Sequence, residues 1–194
     1  MRLFVALEIP EAVREKLAAI RSRFPKPESQ MRWVRADNFH VTLKFIGEVA
    51  GESVPRIIER LRTVQRDSPV QLYFRGLGWF WDAKGFGAFF GKVENGDSFA
   101  ALAGQVDMAL QSLGIPPRDH ENIPHLTLAR CKSLQQRPRS RVPEDIQAVA
   151  KELEGSEFGA LITQEFHLIE SRLGPGGSKY TILESFQFVQ ATNT

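Results

Sequence analysis

The sequence predicts an α+β fold of two pseudo-symmetric lobes, each a mostly antiparallel sheet with helices on its outer face, with an active-site cleft between the sheets. Three observations lead there. Many short stretches alternate apolar and polar residues as strands do, and a helical pattern lies shortly before or after the most distinctive of them. One tetrapeptide pattern occurs twice, as His40-Val41-Thr42-Leu43 and His125-Leu126-Thr127-Leu128, 85 residues apart. That separation suits two related half-domains better than one supersecondary unit. No linker or low-complexity tract divides the 194 residues, and 42% of them are hydrophobic, so residues 1–194 are expected to form a single bilobal domain.

The stretch from Met1 to Pro10, whose apolar run is cut short by Glu8 and Pro10, reads as a first strand. Pro10 and Glu11 open a helix in which Val13, Leu17, Ile20 and Phe24 recur at helical spacing, and Pro25-Lys26-Pro27 ends it. A short strand from Met31 to Arg35 leads into the His40 strand, in which Phe39, Val41, Leu43 and Phe45 alternate with His40, Thr42, Lys44 and Ile46. That alternation assigns the first set to the core and the second to the open face. Val54, Ile57, Ile58, Leu61 and Val64 mark a helix with Ser53 as a candidate cap and Pro55 near its start.

The middle is β again: Val70 to Phe74, Trp79 to Trp81 and Phe86 to Val93, with Asp82-Ala83-Lys84-Gly85 as a turn. Asp97 or Ser98 then caps a helix carrying Phe99, Leu102, Val106, Leu110 and Leu113, and Gly114 stops it. Pro124 leads into the His125 strand. A basic, loop-like segment comes next, and Pro143 begins a helix with Ile146, Val149 and Leu153. Two last strands, about 160–171 and 179–189, are joined by Gly174-Pro175-Gly176-Gly177.

Composition bounds the function. A formal net charge of +2 argues against coating long nucleic acid by charge alone but allows a local basic cleft. The lone cysteine, Cys131, excludes an internal disulfide and a cysteine-rich metal cage, and makes a reducing cytoplasmic home the economical expectation. The N-terminal stretch reads as a strand, not a signal peptide, and no segment approaches the roughly 18 apolar residues of a membrane helix. No heptad repeat suggests assembly, so a monomer without an obligate protein partner is expected.

In a strand, the two-residue spacing puts each motif's His and Thr on one face. Facing histidines suit a reaction that needs a proton acceptor and a proton donor near neutrality, and phosphodiester hydrolysis is such a reaction. One imidazole would take a proton from water and the other give one to the departing oxygen, while Thr42 and Thr127 bond the phosphate oxygens. Either histidine alone would more often be structural; the repeated Thr reverses that. His120 and His167 lack the pattern, and no Asp, Glu or Cys recurs at matching spacing to form a metal site, so no metal and no cofactor are expected.

Longer stretches surround the motifs: Arg32-Trp33-Val34, Asn38 through Glu48, Pro124 through Arg130, and Leu168-Ile169-Glu170-Ser171 with the Gly-rich turn and Tyr180. Nearly end to end, these resemble the two-histidine phosphoesterases, and more narrowly the RNA 2′,3′-cyclic phosphodiesterases, also called 2′-5′ RNA ligases. The resemblance implies a bilobal fold and hydrolysis of RNA or nucleotide 2′,3′-cyclic phosphate ends to 2′-phosphates, with 2′-5′ joining as the reverse reaction. It also implies His40 as proton donor and His125 as proton acceptor; the symmetric sequence alone does not assign these roles. Two other readings remain open: hydrolysis of another cyclic phosphate, such as a cyclic ADP-ribose phosphate, and an RNA-end binding module without turnover.

Three substrate-binding residues are expected besides. The resemblance makes Arg130 a phosphate ligand, although strand parity puts it opposite His125 and Thr127 unless a bulge or the strand's end turns it. Tyr180 comes after the Gly-rich turn, where function concentrates. Trp33 is a candidate for stacking on a base, with buried packing as the alternative. Phe80, Trp81, Phe86, Phe89 and Phe90 read as packing residues. The basic run Arg130, Lys132, Arg137, Arg139 and Arg141 reads as a solvated loop or as a guide for the RNA backbone.

Overall fold

The computed structural model describes residues 1–24, 31–81, 87–117, 123–131, 144–175 and 177–188. Strand β1 (Arg2–Glu8) forms from an apolar run buried from Leu3 to Leu7. The Pro10 carbonyl accepts the amide N–H groups of Val13 and Arg14, each at 3.0 Å, and so starts α1 (Glu11–Ala18). A tighter helical turn over Ala19–Arg23 continues it; the expected Pro25-Lys26-Pro27 stop lies outside the described residues. Next come β2 (Met31–Trp33), shorter than expected, then β3 (His40–Glu48) and α2 (Val54–Leu61). Ser53 makes no capping bond, because a 3-10 turn over Gly51–Ser53 runs straight into the helix.

Strand β4 (Val70–Trp81) merges two expected strands into one, bent at Gly76. There φ is +71°, and an added Cβ would stand 2.5 Å from the Glu154 carbonyl oxygen, so the bend requires glycine. After β5 (Gly87–Glu94), α3 (Asp97–Gln111) ends as expected near Gly114, whose φ is +75°. Ser98 is not a cap; its hydroxyl ties α3 to β4 through the backbone of Gln71, at 3.1 and 3.2 Å. Then come β6 (His125–Cys131) and α4 (Glu144–Glu152). The strand expected over 160–171 is two, β7 (Glu157–Thr163) and β8 (Glu165–Gly174), before β9 (Gly177–Gln187).

These strands make one curled sheet in the order β7-β4-β5-β6-β3-β1-β8-β9, with β2 on β6 beside β3. The two lobes are its halves, β3-β1-β8-β9 and β6-β5-β4-β7, and each begins at a motif strand. They meet at the pair Val41↔Leu126. The break at Gln164 therefore sends β7 to one lobe and β8 to the other. Helix α3 packs on β3 and β4, α1 on β7 and α4 on β4, and the main core fills the space between these helices and the sheet. The other face of the sheet carries the motif side chains and a small cluster of Phe4, Ala6 and Ile169 with Tyr180. Among the described residues no helix is long and apolar enough to cross a membrane.

Both motif strands carry a bulge at the same place. Along β3 the pairing with β1 steps from Ala6↔Thr42 to Val5↔Lys44, leaving Leu43 as the extra residue. Along β6 the pairing with β5 steps from Phe90↔Thr127 to Phe89↔Ala129, leaving Leu128 extra. Each bulge inverts the parity of the residues beyond it. On β3 simple alternation is thereby corrected at three residues, Lys44, Phe45 and Ile46, the last of which packs against the main core. Lys44 turns to the core, 3% exposed, where its ammonium pairs with Asp107 of α3 at 2.8 Å and donates to the Pro116 carbonyl. Phe45 turns to the open face, 61% exposed.

Candidate active site

The two motifs face one cavity of about 300 Å³, with His40 and Thr42 from one lobe and His125 and Thr127 from the other. The lobes hold their imidazoles in the same way. His40 Nδ1 lies 2.7 Å from the carbonyl of Asn38, and His125 Nδ1 lies 2.8 Å from the carbonyl of Ile123, each two residues upstream. A carbonyl only accepts, so in both rings Nδ1 carries the proton and Nε2 is left as the nitrogen that exchanges protons with the cavity.

Each ring also has an aromatic wall. His40 packs against Phe4 at 4.9 Å and edge-on to Tyr180 at 5.3 Å. His125 packs against Phe80 at 5.0 Å and Phe90 at 5.3 Å, and those two rings stack at 4.2 Å. Gly78 makes room for this wall, since a Cβ there would stand 2.8 Å from the Phe90 ring. Tyr180 lines the cavity. Phe80, read from sequence as packing, lines it as well, while Phe89 is core. Trp33 takes the packing alternative: it pairs with Ala129, shares that residue's core-facing side, and packs on Phe24 and Phe89 at 5.3 and 6.3 Å. Its neighbour Val34 reaches the cavity instead.

Arg130 lines the cavity because the Leu128 bulge turns it to the side of Thr127. Burial pushes His40 from 6.5 down to about 4, against the raising effect of its carbonyl bond, with the Arg130 charge and His125 lowering it further. His125 is also lowered, by burial first and then by Arg130, again against its carbonyl bond. Both rings are therefore neutral at pH 7 in the free protein. Such a site attracts an anion through Arg130, offers two hydroxyls to its oxygens, and holds a proton acceptor in each lobe.

Sequence reasoning misses Phe45 as well as Phe80 and Val34; for Phe45 the reason is the bulge, since no alternation signal reports an inserted residue. His120, Phe86 and the basic residues from Lys132 to Arg141 lie outside the described residues. His167 is buried away from the cavity, Nδ1 at 2.9 Å from the Ser185 hydroxyl.

The family described as LigT like phosphoesterase matches this chain over residues 7–85 and 92–180. The chain is 30% identical over 188 residues to the RNA 2′,3′-cyclic phosphodiesterase of Methanothermobacter thermautotrophicus, covering 96% of this chain and 98% of that protein. It is 31% identical over 187 residues to the protein of the same name from Archaeoglobus fulgidus, covering 96% and 100%. The crystal structure of a Thermus thermophilus protein superposes with a TM-score of 0.75 at 30% identity, over 97% of this chain and 98% of that one.

Proposed function

Since the chain belongs to the LigT-like phosphoesterase family, we propose that it hydrolyses the 2′,3′-cyclic phosphate ends of RNA or of nucleotides to 2′-phosphates, without a metal ion. The observation that carries this reading is the pair of carbonyl-anchored histidines sharing one cavity with Arg130. The names of the relatives support the same substrate class.

In the proposed reaction Arg130 and the hydroxyls of Thr42 and Thr127 hold the non-bridging oxygens of the cyclic phosphate. His125 Nε2 takes a proton from water as the water oxygen attacks phosphorus, and the bond from phosphorus to O3′ breaks. His40, protonated on Nε2, gives that proton to O3′. His125 ends protonated and His40 neutral, and exchange with solvent resets both. The donor and acceptor assignment follows the family resemblance. His40 must carry its proton at the start although its pKa in the empty cleft is about 4. The substrate's negative charge, placed beside the ring, supplies the attraction that raises it. An RNA 5′-hydroxyl attacking in place of water, with the same loss of O3′, would give a 2′-5′ linkage, the reverse of cleaving such a linkage to the cyclic phosphate.

A monomeric protein in the reducing cytoplasm belongs to the same proposal, supported by the lone Cys131 and the lack of an assembly pattern. So does a single bilobal domain over residues 1–194, supported by the continuity of the sheet.

The test is a short RNA with a 2′,3′-cyclic phosphate end, incubated with the protein and a chelator. A 2′-phosphate product, identified by mass and by resistance to a 3′-phosphatase and lost with His125→Ala, is expected. A 3′-phosphate product, or activity abolished by the chelator, would contradict the proposal. Tight binding without turnover would favour an end-binding module.

A further inference from the structure

A second cavity, of about 430 Å³, opens at the His40 end of the cleft and shares Tyr180 with the first. It lies where the β8–β9 hairpin meets the 3-10 turn before β3. Asn38 joins the two: its side-chain N–H donates to the Ser178 carbonyl at 2.7 Å, while its own carbonyl anchors His40. The shared Tyr180 ring stands edge-on to that imidazole. The charged residues of the lining are Arg35, Asp37 and Lys179. Arg35 and Asp37 pair at 3.1 Å, but their side chains are 71% and 77% exposed, so water weakens the bond and leaves the guanidinium available to another anion. Lys179 is exposed as well. Two cations against one carboxylate leave a single positive charge, the complement of one phosphodiester.

Resting on the activity proposed above and its placing of O3′ at His40, we propose that Arg35 and Lys179 bind the phosphodiester one nucleotide upstream of the cyclic end, so that an RNA strand is a better substrate than a free nucleotide. The connectivity of ribose supplies the direction. O3′ is on C3′, and the next ring carbon, C4′, carries C5′ and through it the preceding phosphate. O2′ is on the other neighbour. A terminal ribose with O3′ toward His40 therefore sends its 5′ chain out on the His40 side, where Tyr180 leads into the second cavity. A phosphodiester arriving there offers charged oxygens, and guanidinium and ammonium groups are what bind them. A mononucleotide ends in the first cavity and has nothing to place in the second. The two cavities thus divide the work: the first recognises the cyclic phosphate, the second the strand that carries it.

Equilibrium binding reads this subsite without turnover. Three ligands are compared: adenosine 2′-monophosphate, the dinucleotide ApA with a 2′-phosphate end, and the same dinucleotide with an uncharged methylphosphonate as its internal linkage. The wild type is expected to bind the dinucleotide about tenfold more tightly than the mononucleotide, as for one charge-assisted contact. The methylphosphonate should lose that ratio. So should the double variant Arg35→Gln, Lys179→Gln, with its mononucleotide affinity unchanged, whereas Arg35→Lys, Lys179→Arg, which keeps both charges, should retain it. Equal wild-type affinities for dinucleotide and mononucleotide, or a ratio that survives the neutral linkage or the double Gln variant, would overturn the proposal. Turnover of cyclic phosphate by the wild type is read separately. Its absence would contradict the proposed activity, whereas the ratio of affinities tests the second cavity alone.

Discussion

Val41 of β3 and Leu126 of β6 are cross-strand partners, and each is the residue directly after its motif histidine. This pairing turns a repeat in sequence into an axis in space. It joins the two half-sheets and sets His40 and His125 at corresponding places on either side of one cavity. Short-range strand geometry does the rest, because side chains two residues apart share a face.

In the proposed reaction, removing either imidazole interrupts the proton exchange at its source. His40→Ala and His125→Ala are each expected to lower turnover at least about a hundredfold, the scale of one general acid or base, with the circular dichroism spectrum unchanged. Full turnover in either variant would remove that residue from the mechanism.

Anion binding should take up a proton. His40 has a pKa of about 4 in the empty cleft and His125 is lowered too, while an anion beside the rings raises them. Between the empty-cleft and complex values the complex holds more protons than the free protein. Affinity for a non-titrating anion such as sulfate therefore falls as pH rises through that window, by up to about tenfold per pH unit. Calorimetry at pH 6 in buffers of different ionisation heat measures the uptake directly; none would contradict the account.

Arg130→Gln should move two signals together. Its charge lowers both histidines, so the variant should titrate both imidazole C2 protons at higher pH in NMR, and sulfate affinity should drop about tenfold, as for one charge-assisted contact of roughly 1.5 kcal/mol. A shift in neither would mean that Arg130 does not act on the cavity.

Lys44 is a residue of stability, not of catalysis. Lys44→Ala removes the cation from a largely buried ion pair with Asp107 and should cost about 3 kcal/mol in denaturant unfolding, the lower end of the range for breaking a buried pair. The double variant Lys44→Met, Asp107→Leu should recover most of that. An exposed Lys44, as plain alternation would have it, would show a change of roughly 0.5 kcal/mol or less.

Most of the site was legible because it is periodic. The His-x-Thr spacing, its recurrence and the flanking apolar residues specify strand, face and partner lobe with no knowledge of the third dimension. What was illegible came from inserted residues and long-range pairing. The bulges at Leu43 and Leu128 put Lys44, Phe45 and Arg130 on faces opposite to simple parity. The split at Gln164 lies inside a run with no Gly or Pro to mark it, and depends on β7 and β8 finding different lobes. Trp33 and Phe80 exchange roles for a similar reason: an aromatic ring fits core and cleft alike, and register with Ala129 or with Ala88 decides between them.

The central claim is that His40 protonates the departing O3′ while His125 activates water. A substrate in which sulfur replaces O3′ of the cyclic phosphate tests it most directly, since a thiolate leaves without a proton. On that substrate His40→Ala should recover to within about tenfold of the wild type, while His125→Ala stays at least about a hundredfold below it. Recovery of His125→Ala instead, or of neither variant, would contradict the assignment.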